Sequence, residues 1–157
     1  MGIFQEKESI SEGLKRSITD RCNYNKNMKY VDRGLTAKKV DKSWGYEICR
    51  VNNKEEDYCS KIISINEGCS TSMHYHIHKH ETFYVRVGSL RVDTLDTSTA
   101  QTESHVLNVG DVLEIDRYLP HQLIAHNGPV EIDETSTYSC TTDSHRVYRN
   151  FKELFEK

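Results

Sequence analysis

The feature that most limits what this chain can become is its punctuation. From Trp44 onward the sequence breaks into short runs, each stopped by turn chemistry. The runs are WGYEICRVN, DYCSKIISI, STSMHYHIH, ETFYVRVGS, LRVDTLDTS, ESHVLNV, DVLEID, HQLIAHN and PVEIDETST. Between them stand Asn52-Asn53, Glu67-Gly68, Gly88, the stretch from Asn108 to Gly110, and Asn127-Gly128-Pro129, residues that reverse a chain at little steric cost. Many short strands at regular spacing predict an all-β sandwich or barrel rather than βαβ units. At 157 residues one domain is expected, able to bury about 70% of the surface its unfolded form exposes. Residues 1–41 are polar and irregular and read as an N-terminal extension, with 42–157 as the folded domain. The tail RVYRNFKELFEK reads as a short C-terminal helix, marginal unless docked.

Residues 68–88, GCSTSMHYHIHKHETFYVRVG, hold four histidines and a glutamate within eight positions. In a strand, residues i and i+2 face the same way, so His74 and His76 point together. A turn at 77–80 and a new strand from Glu81 can return a carboxylate opposite them. His121 can close the set if the strands form a barrel. Imidazole nitrogen with carboxylate oxygen suits one divalent ion of Mn, Fe, Ni, Co or Zn, and the lack of thiolates argues against a structural zinc clip. Four protein ligands leave two positions open on a six-coordinate ion, the mark of a catalytic centre. His78 and His80 lie in the turn and read as rim residues, while His105 and His126 carry no case for function.

Alternation identifies further inward positions. On DYCSKIISI, Ile63 and Ile65 share a face with Lys61; on PVEIDETST, Val130 and Ile132 share one with Glu134 and Ser136. If the apolar members line the interior, so do Lys61 and Glu134, which are costly there unless paired or used. They read either as a buried structural pair or as catalytic groups.

Charge and composition remove other classes. A net charge of -3, with 21 basic residues scattered among 24 acidic ones, offers no patch for nucleic acid or a membrane surface. No run of 18 apolar residues exists, and the first residues lack a signal peptide's apolar stretch. The five cysteines, Cys22, Cys49, Cys59, Cys69 and Cys140, have no CxxC spacing. Free thiols in a reducing, cytoplasmic setting are expected.

The spacing Gly68, five residues, His74-x-His76, four residues, Glu81, six residues, Gly88 resembles the first motif of the cupin superfamily at every fixed position. The second motif starts at Gly110 and reaches its histidine at His121; its Pro and Gly positions fall on Asp116 and Tyr118, and its terminal Asn on Ala125. The resemblance covers roughly residues 42–150. It implies a double-stranded β-helix, or jelly-roll barrel, with His74, His76, Glu81 and His121 as metal ligands.

Whole-chain texture is similar to the small cupins related to type II mannose-6-phosphate isomerase and D-lyxose isomerase. In that group a Trp-Gly element opens the domain and a Glu-x-Ser-Thr strand closes it, here Trp44-Gly45 and Glu134, Ser136 and Thr137; the ending DSHRVYR is similar too. Trp44 is expected in the core, with stacking on a sugar ring as the other role. The resemblance implies a sugar or sugar-phosphate isomerase or epimerase working through an enediol. Glu134 would move a proton between adjacent carbons and Lys61 would bind substrate or stabilise the enediolate. An iron-dependent dioxygenase and a non-catalytic sugar-binding cupin are the alternatives. A homodimer is expected, with Tyr84 and Arg86 on the exterior or at the dimer contact.

Overall fold

The computed structural model describes residues 37–148. They form eleven strands: β1 (Lys38–Lys42), β2 (Gly45–Asn53), β3 (Tyr58–Ile65), β4 (Met73–Tyr75), β5 (Glu81–Val87), β6 (Ser89–Asp96), β7 (Gln101–Asn108), β8 (Val112–Ile115), β9 (His121–Ala125), β10 (Val130–Ser136) and β11 (His145–Tyr148). Two antiparallel sheets face each other, one in the order β1-β2-β3-β10-β5-β8 and one in the order β11-β4-β9-β6-β7. This is the jelly-roll barrel that the strand pattern and the resemblance imply.

The period of two decides which residues go inside. Ile63 and Ile65 on β3, Phe83 and Val85 on β5, and Val130 and Ile132 on β10 form one wall; Leu90, Val92, Leu123 and Ala125 on β6 and β9 form the other. The intervening residues of the larger sheet face out and are charged: Arg50 pairs with Asp133 at 2.6 Å, and Arg86 reaches Glu131 and Asp133 at 3.2 and 3.4 Å. Arg86 and Tyr84 therefore lie outside, as the alternation requires. One edge of each sheet is a polar strand, KKVDK in β1 and QTESHVLN in β7, which discourages pairing with another chain there.

Two glycines are set by close backbone approach. A Cβ on Gly45, after the two-residue turn Ser43-Trp44, would stand 1.9 Å from the Ser64 carbonyl oxygen, and one on Gly88 would stand 2.3 Å from that of Pro129. The second motif has no glycine at Tyr118, and the backbone there still takes the left-handed conformation, φ 66°; its N–H donates to the His76 carbonyl at 2.7 Å.

The C-terminal expectation needs correction. The start of the tail is strand β11, which pairs with β4 through His145↔Tyr75 and Arg146↔His74. The only helical turn among the described residues is the 3-10 turn Thr141–Asp143. Four residues cannot reveal a strand by period, and here non-local pairing overrides local helical character. The rest of the expected helix, residues 149–157, lies outside the described residues, as does the extension before residue 37. Cys49, Cys59, Cys69 and Cys140 are free thiols; Cys22 lies outside the described residues. No helix among the described residues is long and apolar enough to cross a membrane.

Candidate metal centre

Three strands deliver the site. β4 carries His74, the loop leaving it carries His76, and β9 carries His121, which lies directly opposite His74 in the β4–β9 ladder. The donor atoms of His74, His76 and His121 all lie within 4.8 Å of one another. Ring centroids are 4.6 Å apart for His74 and His121 and 5.0 Å for His74 and His76. Glu81, at the start of β5, brings its carboxylate to the same place: Oε2 lies 3.1 Å from His121 Nε2 and Oε1 3.7 Å from His76 Nε2.

Every ring is oriented by the backbone. His74 Nδ1 donates to the Ser72 carbonyl at 2.7 Å, His76 Nδ1 to that of Asp143 at 2.6 Å, and His121 Nδ1 to that of Leu119 at 3.0 Å. A carbonyl oxygen only accepts, so each Nδ1 carries the hydrogen and each neutral ring turns a bare Nε2 lone pair to the shared centre. Nε2 of His76, Nε2 of His121 and Oε2 of Glu81 are buried with no hydrogen-bond partner. His121 and Glu81 thus meet acceptor to acceptor. A buried knot of lone pairs is expensive in isolation, and a divalent cation among them resolves it. The donor set fits a metal ion on this observation alone.

The protonation states suit that role. Burial drives the His74 imidazole down to about 3, and burial also lowers His76, so both stay neutral and able to ligate at neutral pH. Burial alone would raise Glu81; the charge of the Lys79 ammonium beside it outweighs burial and holds the carboxyl well below the usual range.

Lys79 is the residue that sequence reasoning missed. Its side chain is 5% exposed, and its ammonium lies 2.5 Å from Glu81 Oε1 and 2.7 Å from Glu134 Oε1. Burial acts to discharge it, but Glu134 and Glu81 outweigh burial and hold its pKa above the ordinary lysine value. A signal existed: Lys79 has the same parity as the inward Glu81, Phe83 and Val85, so carrying the alternation of β5 back one step turns it inside.

Lys61 and Glu134 both face the interior, as alternation requires, and are paired residues in the β3–β10 ladder. They do not form the buried pair. Glu134 binds Lys79, while Lys61 Nζ donates to Ser139 Oγ at 3.1 Å and lies 3.7 Å from Glu47 Oε2. Both donors to Glu134, Lys79 Nζ and Ser136 Oγ, converge on Oε1, so Oε2 takes neither. His80 sits on the rim against Glu114 at 3.0 Å and Asp116 at 3.4 Å, and His78 is exposed.

Asp143 was also missed. Its buried carboxylate accepts the backbone N–H groups of Ile77, His78 and Lys79 at 2.9–3.2 Å. Burial would raise this carboxyl, and those three donors outweigh it and lower it. One residue therefore holds the ligand-bearing turn by its side chain and the His76 ring by its carbonyl.

A cavity of about 460 Å³ opens over the centre, within the roughly 300–1,000 Å³ of small-molecule sites. Trp44 lines it and also packs on the core, so its two expected roles coincide.

Comparison with known proteins agrees with this architecture. Residues 61–134 match the family described as "Cupin domain". The oxalate decarboxylase of Lactobacillus farciminis, solved as a formate complex, superposes with a TM-score of 0.62 at 19% identity, covering 71% of this chain and 34% of that one. A tryptophan-to-tyrosine variant of the Bacillus subtilis oxalate decarboxylase superposes with a TM-score of 0.63 at 20% identity, covering 71% of this chain and 30% of that one. The chain thus spans about a third of the length of these proteins, and at such identity the likeness is one of fold. No curated protein sequence matches this chain.

Proposed function

Residues 61–134 match the cupin family and the chain carries a centre for a divalent metal ion, and from that premise we propose that it is a cupin acting as a metal-dependent sugar or sugar-phosphate isomerase or epimerase. The observation that carries the reading is the buried pair of Lys79 and Glu134 on the wall of the same cavity as the three histidines. In this reading Glu81 is the fourth ligand, offering Oε2 while Lys79 holds Oε1. A divalent ion bound there supplies Lewis-acid polarisation of a carbonyl or hydroxyl oxygen.

The chain's own groups do the rest. Glu134 takes a proton through Oε2 from the carbon beside the carbonyl and returns it to the neighbouring carbon, while the hydroxyl proton passes from one substrate oxygen to the other, so that an aldose and a ketose interconvert through an enediol. The Lys79 ammonium pairs with that carboxylate at 2.7 Å and lies where negative charge develops. Lys61 donates to a substrate hydroxyl or anionic group, and Trp44 offers a ring face at the cavity wall. The proposal includes a homodimer, supported by Tyr84 and Val112, which lie opposite each other and exposed on the outer sheet face. Sedimentation at the mass of one 18.2 kDa chain would remove that part.

The test is an aldose–ketose screen in deuterated water on protein loaded in turn with Mn, Fe, Ni, Co and Zn. Deuterium at the carbon beside the product carbonyl is expected, lost in Glu134→Gln at unchanged metal content. No exchange with any metal on any sugar or sugar phosphate would sink the reading. One observation favours an iron-dependent dioxygenase instead: Ile63, Phe83 and Leu123 give the cavity an apolar wall. Substrate-dependent oxygen uptake by the iron-loaded protein separates the two, and tight sugar binding without turnover indicates the non-catalytic module.

A further inference from the structure

The cavity is charged differently at its two ends. At the floor, Lys79 lies between Glu81 and Glu134, beside the metal centre. Toward the mouth, Lys42, Lys61 and Arg146 line the cavity against a single carboxylate, Glu47. Glu47 is shared between two of them, with Oε1 3.7 Å from Lys42 Nζ and Oε2 3.7 Å from Lys61 Nζ. Both separations are too long for a hydrogen bond. Over the whole lining, four cations (Lys42, Lys61, Lys79 and Arg146) stand against three carboxylates (Glu47, Glu81 and Glu134), an excess of one positive charge.

Arg146 is placed to use that excess. It pairs with His74 in the β11–β4 ladder, and residues directly opposite in a ladder share a face, so its side chain stands on the face that carries the metal ligand. No carboxylate among the described residues lies within salt-bridge distance of it. Ser139, Thr141 and Ser144 line the cavity from the same C-terminal segment and add hydroxyl donors. An arginine fork with hydroxyls and a lysine nearby is the donor set that holds a phosphate or carboxylate. Arg146, Ser139, Thr141 and Ser144 lie outside residues 61–134, the part that matches the cupin family, and Lys61 is the first residue of that part.

We propose that the mouth of the cavity is an oxyanion subsite, built on Arg146 and Lys61, that binds a phosphate or carboxylate group of the substrate while the opposite end of that substrate meets the metal centre. The inference deepens the isomerase reading by making its substrate an acidic sugar, a sugar phosphate or a sugar acid. It rests on that reading for the sugar and on the charge distribution for the anion.

The experiment measures binding without turnover. Full-length protein stripped of metal is titrated calorimetrically with inorganic phosphate, with malonate and with neutral mannose, at low and at physiological salt. Saturable binding of an anion to the metal-free protein is expected, weakened by salt. Its Kd should rise about tenfold in Arg146→Gln, corresponding to about 1.4 kcal/mol, with part of the loss restored in Arg146→Lys. The stronger of phosphate and malonate assigns the group. Arg146 is exposed, so the variants should keep the wild-type melting temperature; if one does not, Lys61→Gln makes the same test. Anion binding only after metal loading, or equal binding in wild type and Arg146→Gln, would overturn the subsite by assigning the anion to the metal or elsewhere. Should the sugar screen fail while metal-free protein binds phosphate through Arg146, the isomerase reading falls and the subsite stands.

Discussion

The buried ammonium of Lys79 balances the charge of the two carboxylates around it, and replacing it exposes that dependence. Lys79→Met leaves Glu81 and Glu134 buried and uncompensated, which should cost about 3–5 kcal/mol, read from urea denaturation. Lys61→Met removes one hydrogen bond to Ser139 and a long contact to Glu47 and should cost only about 1 kcal/mol. Equal losses would mean that Lys79 does not carry the charge balance. The imidazoles give a pH dependence. Burial keeps His74 and His76 neutral in the folded protein, His74 down to about 3, whereas an unfolded imidazole protonates near about 6.5. The unfolded state therefore binds more protons between those values, so metal-stripped protein should be fully stable above about pH 6.5 and lose stability as the pH falls toward 3. Melting curves at about pH 7.5 and about pH 5 check this, and His74→Gln should show a shallower fall.

At the scale of elements, the ligand turn between β4 and β5 is held from the far end of the chain. Asp143→Ala strands three backbone N–H groups of that turn. It should cost about 2–4 kcal/mol and weaken metal affinity about 10–100-fold. Asp143→Asn, whose amide oxygen still accepts, should fall between. Competition with a chromophoric chelator measures the affinity, and wild-type affinity in Asp143→Ala would show that β4 and β5 order the turn unaided. Gly45→Ala places a methyl 1.9 Å from the Ser64 carbonyl and should destabilise by about 2 kcal/mol or more as β2 and β3 are forced apart. Both are effects of backbone crossing points, which strand periodicity does not encode. The same limit explains β1 and β11: KKVDK is exposed at every residue, so it has no apolar face to read, and HRVY is a strand only because β4 lies beside it.

For the whole molecule, a bound metal would act as a cross-link. His74 and His121 come from one sheet and Glu81 from the other, so an ion held by the histidines and, as proposed, by Glu81 would tie the two walls of the barrel together. Binding to the folded state alone should stabilise by about 2.7 kcal/mol at a free metal concentration a hundredfold above Kd. The melting temperature should therefore rise on loading wild type and stay unchanged in His121→Ala; a rise in both would place the metal elsewhere. The cavity is likewise a property of the whole barrel, since its lining comes from the family-matched core together with β1, β2 and the segment after β10.

The sequence by itself determined the all-β architecture, the inward faces of β3, β5 and β10, and the gathering of His74, His76, Glu81 and His121. Each rests on a local rule, the period of two or the spacing within a motif, that holds wherever the strands end up. Only the tertiary structure decided that Glu134 is held by Lys79 and not by Lys61, that Asp143 grips a turn 64 to 66 residues earlier, and that three cations meet at one cavity mouth. Those pairings depend on which strand lies beside which and on how far a flexible side chain reaches, and no local period carries that information.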